Sequence, residues 1–232
     1  MCRYRDHGLR RRGSPSSAMV ANGPYLLVEV GLMVATNSSR VLLVRHGRTV
    51  LNAENRLRGR LDPELDDVGR AEVQALAEQL AALAPARVVS SPLRRAVQTA
   101  EAIARRAGVR VVVEHGLIDR DYGQWAGHTR DELIRTWGSV DRAPGVEPAE
   151  RVLHRALVVL LQQFEFLGPR PVVLVSHDAV NRALLAHLDP TLGPASSVDQ
   201  RTACWNELVH VMGDWRVGLV DQKPPVAAVG AR

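Results

Sequence analysis

The stretch VLLVRHG (41–47) decides the fold class. Four apolar residues in a row, with no alternating polar position, describe a strand buried on both faces, as in a parallel sheet covered by helices. The run stops on Arg45-His46-Gly47, a charged and a titratable side chain followed by a residue that admits close backbone approach. Two other runs stop in the same manner. PVVLVS (171–176) is followed by His177-Asp178, and ARVVS (86–90) by Ser91-Pro92-Leu93-Arg94-Arg95.

The segments between these runs have helical spacing. Residues 66–83 place Val73, Leu76, Ala77, Leu80 and Leu83 on one face and stop before Pro85. A helix is expected after Pro92 and ends near Gly108, followed by a strand over 109–113. A short helix over 129–137, a longer one over 147–167 with Pro148 in its first turn, and another over 179–188 complete the set. Residues 204–211 and 214–220 alternate like an antiparallel hairpin around Gly213-Asp214. Strands alternating with helices predict an α/β fold, a three-layer sandwich with a largely parallel central sheet flanked by helices. Ligands of such sheets bind beyond the carboxyl ends of the strands. Two histidines and at least two arginines therefore meet at one sheet edge.

That set suits phosphoryl transfer through a histidine. Arginine offers a planar fork to two phosphate oxygens and stays charged throughout. A neutral imidazole is a competent nucleophile, and a covalent intermediate splits one difficult displacement into two easier ones. Fixed donors then stabilise the charge on the equatorial oxygens.

At this point a resemblance enters. LVRHGRTVLNAENRLRGRLDPELDDVGRAE (43–72), SSPLRRAVQTAEAI (90–103), LIDRDYGQWAG (117–127) and VVLVSHDAV (172–180) resemble, in order, four motifs of the histidine phosphatase superfamily, in its phosphoglycerate mutase-like branch. The resemblance covers roughly residues 40–220 and implies a metal-independent phosphomonoester hydrolase with no cofactor. It implies that His46 is the phosphorylated nucleophile and that Arg45, Arg95 and His177 complete the phosphate pocket. Asn52 matches an asparagine that helps hold the phosphate and its loop, and Arg58 and Gly59 fall in a loop bordering the substrate.

The acid position departs from the family pattern. Asp119 stands where members of that branch usually have Glu, so the carboxyl that protonates the leaving group reaches one methylene less far. Asp178 is the alternative acid, because in the acid-phosphatase branch an Asp after the second histidine gives the proton. Asp119 is preferred for its surrounding motif. Arg48, in place of the usual Glu or Gln after RHG, is expected to add positive charge near the mouth. The segment from Gly127 to Pro171 is shorter than the corresponding one in the mutases, and the more open site this implies favours hydrolysis. Two alternatives remain at this point: phosphoglycerate mutase-type transfer, and a catalytically weak member that docks phosphate groups.

Composition excludes other classes. The formal charge is +5, but six arginines of residues 1–40 face only Asp6 and Glu29, so little basic excess is left for the folded body. A nucleic-acid footprint needs a dense basic patch there, and none is expected. Cys2 and Cys204 give no disulfide framework, so a cytoplasmic location is the default, and no His/Asp/Glu spacing suggests a metal site; a small phosphorylated substrate is what the resemblance implies. Residues 1–39 join a basic stretch to an apolar one, the order of an export signal, yet Pro24 and Glu29 interrupt the apolar part. They are read as a disordered extension, with Met33 as a candidate start. The domain is placed at 40–222, with a tail over 223–232 and no membrane span.

Overall fold

The computed structural model describes residues 39–224. The expected extension, apart from Ser39, and most of the expected tail lie outside the described residues. The strands are β1 (Ser39–Arg45), β2 (Arg87–Ser90), β3 (Val111–Val113), β4 (Val172–Ser176), β5 (Trp205–Val211) and β6 (Asp214–Val217). The helices are α1 (Val50–Ala53), α2 (Asp67–Ala81), α3 (Arg94–Ala107), α4 (Arg130–Trp137), α5 (Ala149–Gln162) and α6 (Asp178–Leu188).

The sheet runs β3-β2-β4-β1-β5-β6. The first four strands are mutually parallel, and the β5–β6 hairpin closes on β1 antiparallel. The apolar runs are continuous because alternate side chains enter different layers. Leu42, Val44, Val173 and Val175 pack with Val73, Leu76 and Leu80 of α2 and Ala96, Ala100 and Ile103 of α3. Val41, Leu43, Val172 and Leu174 point the other way, onto Val152, Ala156 and Leu160 of α5 and Leu184 and Leu185 of α6. Each leucine buried here contributes about 1.5–3 kcal/mol relative to exposure. The three-layer sandwich is as expected.

Register sets the site. Arg45 lies beside Ser176 in the parallel β1–β4 pair, and Ser90 lies beside Val175 in β2–β4. The residues that follow, His46, His177 and Ser91, therefore emerge side by side at one sheet edge. Elsewhere the expected elements are trimmed by capping. The strand foreseen from 109 begins at Val111, because Gly108 turns left-handed (φ 68°) and the Val109 amide bonds to the Ala104 carbonyl to close α3. The long helix foreseen over 147–167 runs from Ala149 to Gln162 and tightens into a 3-10 turn, Gln163–Phe166. β6 stops at Val217, short of the expected 220.

Gly69, in the first turn of α2, is a poor helix former whose place is explained by packing. A Cβ there would stand 2.0 Å from the Arg48 carbonyl oxygen, so the loop after His46 lies directly on this turn. The Asp66 amide donates to that same carbonyl, and the Arg48 amide donates to the buried Glu72 carboxylate. Gly69→Ala is expected to destabilise the protein by about 2 kcal/mol or more, measured as the urea midpoint. An unchanged midpoint would mean that the loop is free to lift off α2.

Candidate active site

His46 follows β1 and has no exposed surface. Its backbone amide donates to the Ser176 carbonyl at 3.1 Å, which ties it to β4. Its Nδ1 lies 2.7 Å from the Gly47 carbonyl, an acceptor only, so Nδ1 carries the proton and Nε2 keeps the lone pair. Burial holds the imidazole pKa well below 6.5, and the Arg95, Arg45 and Arg58 guanidiniums push it the same way. The ring is a neutral base with a defined tautomer.

Arg95, in the first turn of α3, is completely buried. Nε donates to His46 Nε2 at 3.2 Å, Nη1 to the Leu61 carbonyl at 2.8 Å, and Nη2 to both the Gly59 carbonyl at 3.1 Å and Asp119 Oδ2 at 2.9 Å. Gly59 belongs to the site through that carbonyl. Its φ is +48°, and a Cβ there would meet the Arg120 carbonyl oxygen at 3.1 Å. Arg45 donates from Nη1 to the Gln200 carbonyl, and its buried Nε has no partner among the described residues.

His177 stands with its ring centroid 5.1 Å from that of His46. Its Nε2 is 2.7 Å from Ser91 Oγ, while Nδ1 is buried, unpartnered and 3.8 Å from Asp119 Oδ2. Burial and the surrounding arginines keep this ring neutral too, with a pKa well below 6.5. Nδ1 is thus directed into the space between the two histidines, Arg95 and the acid.

The two candidate acids sit in opposite environments. Asp119 is buried, which raises its pKa; Arg95 opposes the shift and ionised Asp178 adds to it. For Asp178, at the start of α6, burial is outweighed by Arg45, Arg58 and Arg182, and the carboxyl is held below the usual carboxylate range. Arg58 Nη2 donates to Asp178 Oδ1 at 3.1 Å. A group that must carry a proton is favoured at Asp119 and disfavoured at Asp178.

The expected site residues fall into one cluster, with two changes of detail. Asn52 lines the outer cavity beside Arg45 and Arg58, but its Oδ1 accepts from the Thr49 amide and hydroxyl, so it braces the loop. The Arg48 charge expected at the mouth is taken up by Asp66, 2.9 Å away.

Several supporting residues carry no recognisable signal in the sequence. Arg155 of α5 donates to the carbonyls of Gly116, Ile118 and Asp119 and is held in turn by both oxygens of Glu147. Glu147 also accepts the Asp121 amide at 3.0 Å. This clamp fixes the backbone on both sides of the short Asp119 side chain. Below Arg45, the buried amides of Asn181, Gln200 and Asn206 bond to one another and hold the Gln200 carbonyl in place. Ser91 lies within a quoted motif, but its bond to His177 depends on the β2–β4 register. Among the described residues no group of three or more His, Cys, Asp or Glu is placed to hold a metal ion.

Comparison with known proteins gives the family. The family model for the histidine phosphatase superfamily (branch 1) matches residues 41–222. A glucosyl-3-phosphoglycerate phosphatase of Mycolicibacterium vanbaalenii is 35% identical over 165 residues, 64% of this chain and 73% of that protein. Its namesake in Mycobacterium tuberculosis is 32% identical over 203 residues, 77% of this chain and 87% of that protein. A solved mycobacterial glucosyl-3-phosphoglycerate phosphatase in complex with inorganic phosphate superposes with a TM-score of 0.70 at 29% identity, covering 80% of this chain and 98% of that one. With its four motifs in order along a sheet of this topology, the chain belongs to the histidine phosphatase superfamily.

Proposed function

We propose that this protein hydrolyses small phosphate monoesters through a phosphohistidine on His46, with Asp119 as the general acid and base. The observation that carries the reading is the fixed tautomer of His46. Its Nδ1 proton is committed to the Gly47 carbonyl, so the Nε2 lone pair faces the slot bounded by Arg95, His177 and Asp119.

A phosphate in that slot competes with His46 Nε2 and Asp119 for the Arg95 donors, and takes the unused Nε–H of Arg45 and Nδ1–H of His177. Nε2 then forms a bond to phosphorus as the ester oxygen leaves, and the Asp119 proton passes to that oxygen. In the second half, Asp119 takes a proton from water as the water oxygen bonds to phosphorus. The N–P bond breaks, its electrons return to Nε2, and inorganic phosphate departs. Small organic phosphates as the substrate class, rather than a nucleic acid or a membrane, agree with the named activities of the relatives. Among the described residues no helix is long and apolar enough to cross a membrane, and a cytoplasmic location is part of the same reading.

Release of phosphate from p-nitrophenyl phosphate in excess chelator tests the activity. Transfer between positions of a phosphoglycerate without net release would instead identify a mutase. For the acid assignment, Asp178→Asn is expected to lower kcat on alkyl esters by less than about tenfold, since it removes a partner of Arg58 and no proton donor. A loss as large as that of the Asp119 variant would move the acid to Asp178.

A further inference from the structure

The acid of this site is short, and its reach is set from outside the slot. Asp119 is buried, with Oδ2 2.9 Å from Arg95 Nη2 and 3.8 Å from His177 Nδ1. Its other oxygen accepts the Arg120 amide at 2.9 Å, so the carboxyl is tied to its own backbone. With two side-chain torsions and one oxygen already engaged, an aspartate has little freedom to compensate for a backbone that moves. Where the carboxyl stands is decided by where residues 116–121 stand.

Four successive carbonyls of that segment are held, and Arg155 holds three of them. It donates to those of Gly116 at 2.9 Å, Ile118, and Asp119 at 3.2 Å, while Ser176 Oγ donates to that of Leu117 at 2.9 Å. The segment also rests on α5 itself, since a Cβ on Gly116 would stand 2.8 Å from the Arg155 carbonyl oxygen. Glu147 turns the guanidinium to this task, accepting from Nε at 3.0 Å and from Nη2 at 3.1 Å. It also brackets the far side of the acid. Its carboxylate accepts the Asp121 amide, its own amide donates to the Asp121 carbonyl at 2.8 Å, and its carbonyl accepts from Arg120 Nε at 2.7 Å. The Arg155 and Glu147 side chains are only 17% and 7% exposed, so their pairing is little screened by water.

We propose that Arg155 and Glu147 are positioning residues for the proton transfer: they draw the 116–121 backbone in so far that aspartate, and not the longer glutamate, fits the acid position. The inference rests on the phosphatase reading of the His46 site and deepens its assignment of Asp119. A further methylene in this buried place would drive the carboxyl against Arg95 or off its rotamer.

Exchanging the acid in two backgrounds tests it. Values of kcat/KM are measured for glycerol 2-phosphate, whose alkoxide needs the proton, and for p-nitrophenyl phosphate, whose phenolate does not. In Arg155→Lys a single ammonium cannot span three carbonyls. The alkyl ester is then expected to lose about tenfold or more, while the aryl ester stays within about threefold. Asp119→Glu is expected to cost the alkyl ester about tenfold or more in the wild-type background, yet to restore about fivefold or more in Arg155→Lys. Glu147→Gln, a milder change, is expected to show the same reversal, and it carries the test if urea unfolding shows that Arg155→Lys does not fold. Equal losses on both esters, or an Asp119→Glu exchange equally damaging in both backgrounds, overturn the positioning role. Crystal structures read the reach without turnover: in the clamp variant Asp119 Oδ2 is expected to retreat from Arg95 Nη2 by about 1 Å. An unmoved carboxyl overturns the proposal. A retreat in a protein whose wild type hydrolyses neither ester supports the positioning and counts against the phosphatase reading alone.

Discussion

His46→Ala abolishes phosphate release, with an expected loss of kcat/KM of about 10^4-fold or more. The size follows from the absence of a substitute. His177 is the other imidazole at the slot, but its Nε2 is engaged by Ser91 Oγ, and in the proposed reaction its Nδ1 serves as a donor to phosphate. Cys204 is buried, and its thiol pKa is raised by burial and by Asp221, so no thiolate is at hand. His46→Gln should lose as much, since the amide fills the volume without supplying a nucleophile. The measurement is steady-state hydrolysis of p-nitrophenyl phosphate, with urea unfolding to confirm that both variants fold. Activity within tenfold of wild type in either variant would place the nucleophile elsewhere.

Asp119→Asn gives the second large effect. Alkyl esters, whose leaving oxygen needs the proton, are expected to lose about 10^2- to 10^4-fold in kcat. Aryl esters should still phosphorylate His46, because a phenolate departs unaided, but the variant lacks the base that activates water. A burst of one nitrophenol per enzyme followed by slow turnover is the expected trace. The pH profile is a second readout. In the wild type the acid must be protonated for the first step, so kcat/KM falls as pH rises through the raised Asp119 pKa. That limb should vanish in the variant. On the acid side no fall is expected near pH 6.5, because burial and the arginines hold His46 neutral to well below that value. An alkaline limb unchanged in Asp119→Asn would assign it to another group.

The parts of this site legible in the sequence were those carried by local pattern. An apolar run buried on both faces cannot alternate, so VLLV and VVLVS are recognisable as inner strands, and the residues ending them mark the sheet edge. The helix over 66–83 follows from its spacing and from Pro85. Strand order was not legible, because β4 comes to lie between β1 and β2 through contacts more than 80 residues apart. The Arg155–Glu147 clamp was hidden for the same reason. Neither residue breaks the pattern of its own segment, and their partners at Gly116, Ile118 and Asp119 are backbone carbonyls, which leave no trace in side-chain identity. Gly69 ran against helix propensity, and only the approach of the Arg48 carbonyl explains it. Asp119 and Asp178 stay alternatives in the sequence, because the burial that raises the Asp119 carboxyl and the arginines Arg45, Arg58 and Arg182 that lower that of Asp178 are brought there by the fold.

Trapping the intermediate tests the central claim most directly. Protein mixed briefly with p-nitrophenyl phosphate is quenched into alkali, where a phosphohistidine persists, and its intact mass and peptides are measured. A gain of one phosphoryl group, labile to acid and mapped to His46, is the predicted result, with greater occupancy in Asp119→Asn. Steady turnover with no phosphorylated species in either protein, or a phosphoryl group on another residue, would contradict it.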